Sequence, residues 1–348
     1  MSDAPSPLRR ALAALANRQS LSESLTAEVF GVVMSGEATA AQIAALLMGL
    51  RAKGETAEEV AGAARALREA MVRVDAGDGP HLVDTCGTGG GAVPTFNIST
   101  VAAFVAAGAG ATVAKHGNRS FTSQCGSADV LEALGVRIVL DAPAAARVLR
   151  EARVAFLFAP SFHPAMKHVA PVRRELGVPS VMNLVGPLAN PAGVRRQVIG
   201  VADRDRAGVV ADALARLGAE HALVVHGRVG MDEISPQGVT DVWEVQDGAV
   251  RSWEIDPGRY RLGIADVGAL KGGEPAANAE RLERILGNGD ADPSGLAAVL
   301  LNAGAAIYVA GIAGSFAEGI GRAREVVASG AARAALDRLR KATASTSG

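Results

Sequence analysis

The chain has 348 residues with 35 Lys and Arg against 36 Asp and Glu, so its formal net charge at pH 7 is −1. A near-neutral chain has no bulk attraction for nucleic acid, and an aromatic content of 3% leaves few surfaces on which bases could stack. The hydrophobic fraction of 49% indicates a globular protein, and the length suggests two domains. Two cysteines, Cys86 and Cys125, cannot build a four-thiolate zinc site, and we expect reduced thiols in a cytoplasmic protein.

The first 75 residues predict helices joined by short links. Thr39 precedes Gln42, and Thr56 precedes Glu59, at the spacing of a capping box, and apolar residues follow at helical spacing. No strand pattern occurs in this stretch. Residues 75–80 are rich in Asp, Gly and Pro and predict a linker.

From residue 81 onward, short apolar runs alternate with helical patterns. The predicted strands are 82–84, 112–115, 136–139, 154–158, 198–202 and 223–225, and the predicted helices lie near 100–108, 128–134, 143–151 and 205–217. Strands that alternate with helices predict a mostly parallel sheet. A hairpin is predicted at 241–255 around Gln246-Asp247-Gly248, and helices are predicted after it.

Residues 293–317 carry no charge and are numerous enough to cross a bilayer. Asn302 and several glycines interrupt the stretch, and it would be the only candidate span. We therefore expect a buried core helix here, with a membrane span as the alternative.

A glycine-rich loop follows the first predicted strand and contains four glycines between Gly87 and Gly91. Six residues later Asn97-Ile98-Ser99-Thr100 opens an apolar helix, where a hydroxyl can cap the first turn and where the helix N-terminus attracts phosphate. This combination predicts a phosphate site, and the alternative is a tight turn followed by an ordinary cap. The loop matches neither a Walker loop nor a dinucleotide-binding loop.

Three further clusters carry polar groups beyond predicted strands or near them. Residues 115–127 concentrate an ammonium, an imidazole, a guanidinium, an amide and hydroxyls, a donor set suited to pyrophosphate or carboxylate. Asp232 and Glu233 follow a predicted strand and could bind Mg²⁺, although most such pairs are solvated. Arg173 could hold a carboxylate, or could simply lie beside Arg174 on a surface helix.

Together these loops resemble the anthranilate phosphoribosyltransferase family, and the resemblance covers almost the whole chain. The segments that carry it are 53–56, 87–90, 95–100, 115–119, 126–129, 163–166, 186–188 and 190–191. The resemblance implies an α/β fold of the nucleoside phosphorylase and phosphoribosyltransferase type, with a small N-terminal all-helical domain and a large α/β domain whose mostly parallel central sheet is flanked by helices. The small domain is expected at 1–76 with a returning segment at about 167–191, and the large domain at 77–166 and 192–345.

The resemblance also implies the activity. The family joins anthranilate to 5-phosphoribosyl 1-pyrophosphate and releases pyrophosphate, with Mg²⁺ as cofactor, in tryptophan biosynthesis. It usually forms a homodimer through the small domains. Neither a nucleic acid nor a membrane is an expected partner.

Carried over by position, the resemblance assigns site residues. The residues expected to bind phosphoribosyl pyrophosphate are Gly87, Thr88, Gly89, Gly90, Gly91, Thr95, Asn97, Ile98, Ser99, Thr100, Lys115, His116, Gly117, Asn118, Arg119, Ser120, Phe121, Thr122, Ser123 and Ser127. Anthranilate is expected at Gly87, Asn118 and Arg173, with His116, Asn118 and Arg173 positioning substrates, and Mg²⁺ at Ser99, Asp232 and Glu233. No residue is expected to act as a strong general base.

The chain departs from the usual family pattern at four positions. Gly91 stands where Asp is common, Pro94 where Asn is common, Gln124 where Lys is common and Cys125 where Ser is common. The loss of that Asp removes a carboxylate near the phosphates and bears on the number of metal ions. Two alternatives remain at this point: a pyrimidine nucleoside phosphorylase, which shares the fold, and a non-catalytic relative that binds nucleic acid.

Overall fold

The N-terminal part of the protein is a helical bundle. The computed structural model describes residues 6–77, 79, 81–120, 124–287 and 292–345. The bundle helices are α1 (Pro7–Ala16), α2 (Glu23–Ser35), α3 (Ala40–Lys53) and α4 (Ala57–Ala70). Both predicted capping boxes are present, because Thr39 Oγ1 accepts from Gln42 N and Thr56 Oγ1 from Glu59 N, each at 3.3 Å. These bonds satisfy free N–H groups and fix where α3 and α4 begin.

A seven-stranded sheet follows the bundle. Its strands are β1 (Leu82–Gly87), β2 (Thr112–Gly117), β3 (Val154–Phe158), β4 (Arg196–Gly200), β5 (His221–Gly227), β6 (Thr240–Gln246) and β7 (Ala249–Ile255). The order is β3-β2-β1-β4-β5-β6-β7, with β1 to β5 parallel and β6 and β7 antiparallel. The predicted mostly parallel sheet is confirmed, and so is the hairpin, whose Asp247 and Gly248 both have positive φ as a two-residue turn requires.

Helices cover the sheet and return to the bundle. Those that follow β1, β2 and β3 are α5 (Ile98–Gly108), α6 (Ser127–Ala133), α7 (Ala142–Ala152), α8 (Ala159–Phe162), α9 (Ala170–Leu176) and α10 (Val181–Val185). Those that follow β4 and β7 are α11 (Arg204–Arg216), α12 (Pro275–Gly287), α13 (Pro293–Val309), α14 (Phe316–Ala328) and α15 (Ala331–Ala344). The short helices α9 and α10 contact α3 and α4 of the bundle.

The predicted strand at 136–139 is wrong. Residues 136–140 form an extended connection without strand pairing, and Val136 N donates to Leu131 O at 2.9 Å. Val136 and Ile138 are buried while Val139 is 57% exposed. The alternation of apolar residues that resembled a strand therefore arises because every second side chain of this connection packs onto the core.

The uncharged stretch 293–317 forms α13, the turn after it and the first two residues of α14, and most of α13 lies in the core. Asn302 is buried, accepting a hydrogen bond from Ile234 N at 3.0 Å and donating to Ile234 O at 2.9 Å. In the described ranges, no helix combines the length and the apolar character needed to cross a membrane. The expected core helix is thus confirmed.

Two buried apolar clusters occupy opposite faces of the sheet. Val224 belongs to a cluster with the bundle helices, residues 165–189 and α11, whereas Leu223 and Val225 belong to a cluster with α5, α13 and α15. Neighbouring residues of a strand point to opposite faces, so a single strand serves both cores.

The strand order reverses beside β1. The chain adds β2 and β3 on one side of β1, then β4 and β5 on the other. In open α/β sheets, ligands bind outside the carboxyl ends of strands at such a reversal. Gly87 and Gly200 pair in register at this end of β1 and β4, next to the predicted phosphate loop.

Candidate active site at the carboxyl ends of the strands

The glycine loop lies at the point where the strand order reverses. Thr88 N donates to Gly200 O at 2.9 Å, and Ala202 N donates to Thr88 Oγ1 at 3.1 Å, which fixes the start of the loop to the end of β4. Gly89 and Gly90 have φ of +67° and +83°, and a Cβ at either would meet no atom within 4 Å. The space beside these two Cα atoms is open, so a ligand could approach the backbone closely there, as in an anion-binding loop.

The N-terminus of α5 is built differently from the prediction. The cap residue is Asn97, not a serine or threonine, and it forms no capping hydrogen bond. Its amide instead donates to Cys125 O at 3.1 Å, which joins the loop to the connection before α6. The expectation of a hydroxyl cap is therefore wrong, because Ser99 and Thr100 already lie in the first helical turn.

The other residues predicted to bind substrate around this helix differ in their burial and in their hydrogen bonds. Ile98 is fully buried and its N–H donates to Phe96 O at 2.7 Å. Thr100 is 1% exposed, and its Oγ1 has no hydrogen-bond partner among the described residues. Thr95 pairs through its backbone with Lys271.

Lys115 is a buried cation at the end of β2. Its Nζ donates to Thr85 O at 2.5 Å and to Ser99 Oγ at 3.2 Å, so it links β1, β2 and the first turn of α5. Burial lowers the pKa of Lys115, while the charges of Asp84, Cys86 and Glu233 act in the opposite direction. A lysine held here delivers positive charge to anything bound beside Ser99.

Asp232 and Glu233 form a half-buried carboxylate pair, and Asp232 lies against the glycine loop. Burial raises the pKa of Asp232, and burial together with the neighbouring Asp232 raises the pKa of Glu233 to about 8. Glu233 Oε1 accepts from Ser99 N at 3.2 Å. A Cβ at Gly87 would lie 3.2 Å from Asp232 Oδ2, which shows how closely the loop approaches this carboxylate.

This donor set fits a divalent cation. Within the described ranges, no cluster of three or more His, Cys, Asp or Glu side chains could hold a metal alone. Mg²⁺ typically takes one or two protein carboxylates and completes its shell with phosphate oxygens and water. Asp232, Glu233 and the Ser99 hydroxyl meet that requirement, and a cation would offset the burial of the two acids.

The second predicted loop is held mainly by its own backbone. Asn118 O accepts from Ser127 Oγ and from Ala128 N, both at 3.3 Å, and a Cβ at Gly117 would lie 2.4 Å from Ser127 Oγ. Ser120 N points at Asp129 Oδ2 at 3.5 Å. Phe121, Thr122 and Ser123 were predicted to wrap the ligand and lie outside the described residues.

Arg119 faces away from the glycine loop. Its Nη1 lies 2.7 Å from Asp129 Oδ1 and 2.6 Å from Glu132 Oε2, both on α6. These ion pairs raise the pKa of Arg119 above its ordinary value. In this arrangement the guanidinium orders the loop against α6 through hydrogen bonds from Nη1 and Nη2.

A buried histidine pair lies beside this loop. His116 Nε2 and His163 Nε2 are 3.2 Å apart, so one ring donates to the other. Burial, together with the nearby His163 and Lys115, lowers the pKa of His116 to about 3. Burial lowers the pKa of His163 to about 4. Both rings are therefore neutral at pH 7, because the protonated form that could act as a general acid is scarcely populated.

Arg173 lies on α9, on the side of the bundle. Its Nη2 donates to Asn183 Oδ1 at 3.4 Å, and burial lowers its pKa. Among the described residues, no hydrogen bond or ion pair joins Arg173 to Asn118 or Gly87, the other predicted anthranilate residues. The three positions thus stand on separate elements, and only a ligand could connect them.

Sequence reasoning missed two groups that brace the site. Asp84 is fully buried and accepts from His116 N at 3.1 Å and from Asn190 Nδ2 at 2.8 Å. His163 completes the histidine pair. Asn190 and His163 do lie in the family-like segments, and a buried Asp directly before a glycine loop is a signal that could have drawn attention to Asp84.

Comparison with known proteins agrees with this geometry. Family models of the glycosyl transferase family match the chain, with the α/β domain at residues 79–333 and the helical bundle domain at 9–71. An anthranilate phosphoribosyltransferase of Laribacter hongkongensis is 49% identical over 312 residues, which are 90% of this chain and 91% of the relative.

Solved structures show the same relationship. The anthranilate phosphoribosyltransferase of Thermus thermophilus is 42% identical with a TM-score of 0.91, over 98% of this chain and 100% of that one. The Saccharomyces cerevisiae protein in complex with PRPP and Mg is 29% identical with a TM-score of 0.88, over 99% of each chain. The chain belongs to the anthranilate phosphoribosyltransferase family.

Proposed function

We propose that the protein transfers the phosphoribosyl group of 5-phosphoribosyl 1-pyrophosphate to the amine of anthranilate, with Mg²⁺, in tryptophan biosynthesis. The products are N-(5-phosphoribosyl)anthranilate and pyrophosphate. The observation that carries this proposal is the half-buried pair Asp232 and Glu233 beside the glycine loop, with Ser99 and Lys115 next to it. Anionic phosphates with a divalent cation are the ligands that such a mixture of carboxylates, hydroxyl and ammonium suits.

The phosphoribosyl substrate is bound by the two loops at the strand ends. The backbone of residues 87–91 receives the pyrophosphate, and the first turn of α5 with Lys115 and Ser127 receives the rest of the substrate. Ser99, Asp232 and Glu233 hold Mg²⁺, which when bound neutralises charge on the departing pyrophosphate. Lys115 adds a fixed positive charge that needs no rearrangement during the reaction.

Anthranilate lies between the α/β unit and the bundle. Arg173 pairs with its carboxylate, and Asn118 and the backbone at Gly87 orient the ring so that the amine faces the ribose. The amine nitrogen attacks the anomeric carbon, the bond from that carbon to the pyrophosphate oxygen breaks with its electron pair leaving on oxygen, and the amine then loses a proton to solvent. Because His116 and His163 stay neutral, they shape and position rather than exchange protons, and catalysis is positioning and electrostatics.

The proposal extends to the domain boundaries, the oligomeric state and the cellular location. The domains divide at 1–76 with 167–191 and at 77–166 with 192–345, in keeping with the shared core of the bundle and residues 165–189. A homodimer forms through the helical domain, where Met48 and Val178 are large exposed apolar side chains. The enzyme works in the cytoplasm, in keeping with reduced thiols at Cys86 and Cys125.

The test is the loss of anthranilate fluorescence when phosphoribosyl pyrophosphate and Mg²⁺ are added. A loss that requires all three components supports the transferase. A folded protein that produces no loss contradicts it, and phosphorolysis of thymidine or uridine would then test the phosphorylase alternative.

A further inference from the structure

The Lys-Gly-Glu-Thr segment at 53–56 joins α3 to α4, and most of it serves the local turn. Lys53 Nζ lies 2.9 Å from Glu59 Oε2 and both side chains are buried. Gly54 has a φ of +93°, and Thr56 caps α4. Glu55 has no such local task, since its carboxylate points out of the bundle.

Glu55 meets a cation from the α/β unit. Its side chain is 1% exposed, and Oε2 lies 2.6 Å from Arg206 Nη1, whose side chain is 18% exposed. In the described part of the chain, neither oxygen of Glu55 accepts a hydrogen bond of good geometry. The buried carboxylate is therefore balanced by charge alone, and loss of Arg206 would leave it uncompensated. Arg206 has a second, weaker partner, since its Nε lies 3.8 Å from Asp203 Oδ2.

Arg206 stands in the first turn of α11. It follows the β4–α11 connection, residues 201–203, which is hydrogen-bonded to Thr88 of the glycine loop. Its N–H donates to Asp203 O at 3.0 Å, and Asp203 caps α11. One residue earlier, Ala202 N donates to Thr88 Oγ1 at 3.1 Å, and Gly200 O accepts from Thr88 N at 2.9 Å. Residues 200–206 therefore connect the bundle at one end with the phosphate loop at the other.

We propose that Glu55 and Arg206 are positioning residues. Their ion pair joins the helical bundle to α11 and so holds the glycine loop, residues 87–91, in the conformation that binds phosphate. The inference rests on the proposed function, because it assigns the pair to the site of phosphoribosyl pyrophosphate. The pair acts through residues 200–203 on Thr88 and touches no substrate itself. Breaking it lets the β4–α11 loop shift and weakens the binding of phosphate by the glycine loop, while Arg173 on α9, the proposed partner of the anthranilate carboxylate, is left intact.

A matched control lies on the same helix. Arg216, the last residue of α11, forms ion pairs with Glu23 and Glu58 of the bundle and is 43% exposed. It bridges the same two units as Arg206, but from the end of α11 that is remote from the glycine loop. Arg216→Ala therefore measures what the loss of an ion pair between the two units does by itself.

The experiment measures the Kd of phosphoribosyl pyrophosphate by calorimetry with Mg²⁺ present, together with KM for each substrate and Tm. Glu55→Gln should raise that Kd by about tenfold, the equivalent of about one hydrogen bond to a charged group, and leave KM for anthranilate within about twofold. Arg206→Lys should keep more affinity than Arg206→Met, because it restores the charge. Arg216→Ala should leave the Kd near the wild-type value.

The outcomes separate the inference from the proposed function. A wild-type protein that binds no phosphoribosyl pyrophosphate overturns both. A wild type that binds it, with a Kd unchanged in Glu55→Gln or equally raised in Arg216→Ala, overturns the inference alone. If Glu55→Gln does not fold, the Kd of phosphoribosyl pyrophosphate is compared among wild type, Arg206→Lys and Arg206→Met. A Kd that rises in that order supports the inference, and an equal Kd in all three overturns it.

Discussion

Replacing Arg173 with alanine should weaken anthranilate binding far more than the binding of phosphoribosyl pyrophosphate. Burial already lowers the pKa of Arg173, and no carboxylate forms an ion pair with it within the described ranges. Its donor bond to Asn183 Oδ1 is long at 3.4 Å, so most of its hydrogen-bonding capacity is free. A hydrogen bond to a charged group contributes about 1.5–3 kcal/mol, which corresponds to a rise in KM for anthranilate of about tenfold to hundredfold.

The assay follows anthranilate fluorescence with each substrate varied in turn. Arg174→Ala is the matched control, because Arg174 is the exposed neighbour on the same helix. The Tm of Arg173→Ala should not fall appreciably, since Asn183 Oδ1 keeps its bond from Ser180 N at 3.0 Å. Equal rises in KM for both substrates, or an equal effect of Arg174→Ala, would refute a carboxylate contact.

Three other predictions address the metal, pH and the glycines. The double variant Asp232→Ala, Glu233→Ala should lower kcat and raise the Mg²⁺ concentration needed for half-maximal rate; an unchanged Mg²⁺ profile would exclude their metal role. Hydrogen bonds from His221 and other donors lower the pKa of Glu244 from 4.5 to about 2 despite burial, so stability of about 3 kcal/mol present above pH 4.5 should disappear as the pH falls toward 2. Urea unfolding of Glu244→Gln at several pH values should show a flatter acid limb than wild type, and parallel limbs would contradict the assignment. Gly200→Ala should lower the free energy of unfolding by about 1–3 kcal/mol in the same assay, because its Cβ would overlap the Asp232 carbonyl oxygen. A variant as stable as the wild type would contradict this close approach.

The sequence predicted the sheet and the location of the site because both follow from local pattern. Strands that alternate with helices produce parallel pairing, and parallel pairing brings the loops after β1, β2 and β5 to one edge. Asp84, Lys115 and Glu233 are far apart in the sequence but share that edge, so their proximity was predictable once the order of elements was known. Their pairwise contacts were not.

The features that were missed depend on long-range packing. Residues 136–139 have a strand-like alternation, yet no neighbouring strand in the described ranges is placed to pair with them. Asn97 stands at the N-cap of α5 without a capping bond, and its Oδ1, the atom that would accept one, accepts instead from Asn278 Nδ2 at 3.0 Å, a contact between residues far apart in the chain. The ion pairs of Arg119 with Asp129 and Glu132 of α6 were likewise not foreseen, and its role in binding phosphate stays a prediction. In each case a tertiary partner decided between options that the local sequence left equal.

The glycines at this edge serve two separate physical purposes, which the sequence could not distinguish. Gly89 and Gly90 are needed for conformation, because both have positive φ and open space above them. Gly87, Gly91 and Gly200 are needed for room, because a Cβ at each would lie 3.2 Å from Asp232 Oδ2, 2.8 Å from Asp232 Oδ1 and 1.7 Å from Asp232 O respectively. Glycine at 91 therefore lets the loop lie directly against Asp232, which is proposed to hold Mg²⁺ together with Glu233. A side chain at 87, 91 or 200 would displace either the loop or Asp232, so the geometry of the proposed metal site depends on the absence of a Cβ at these positions.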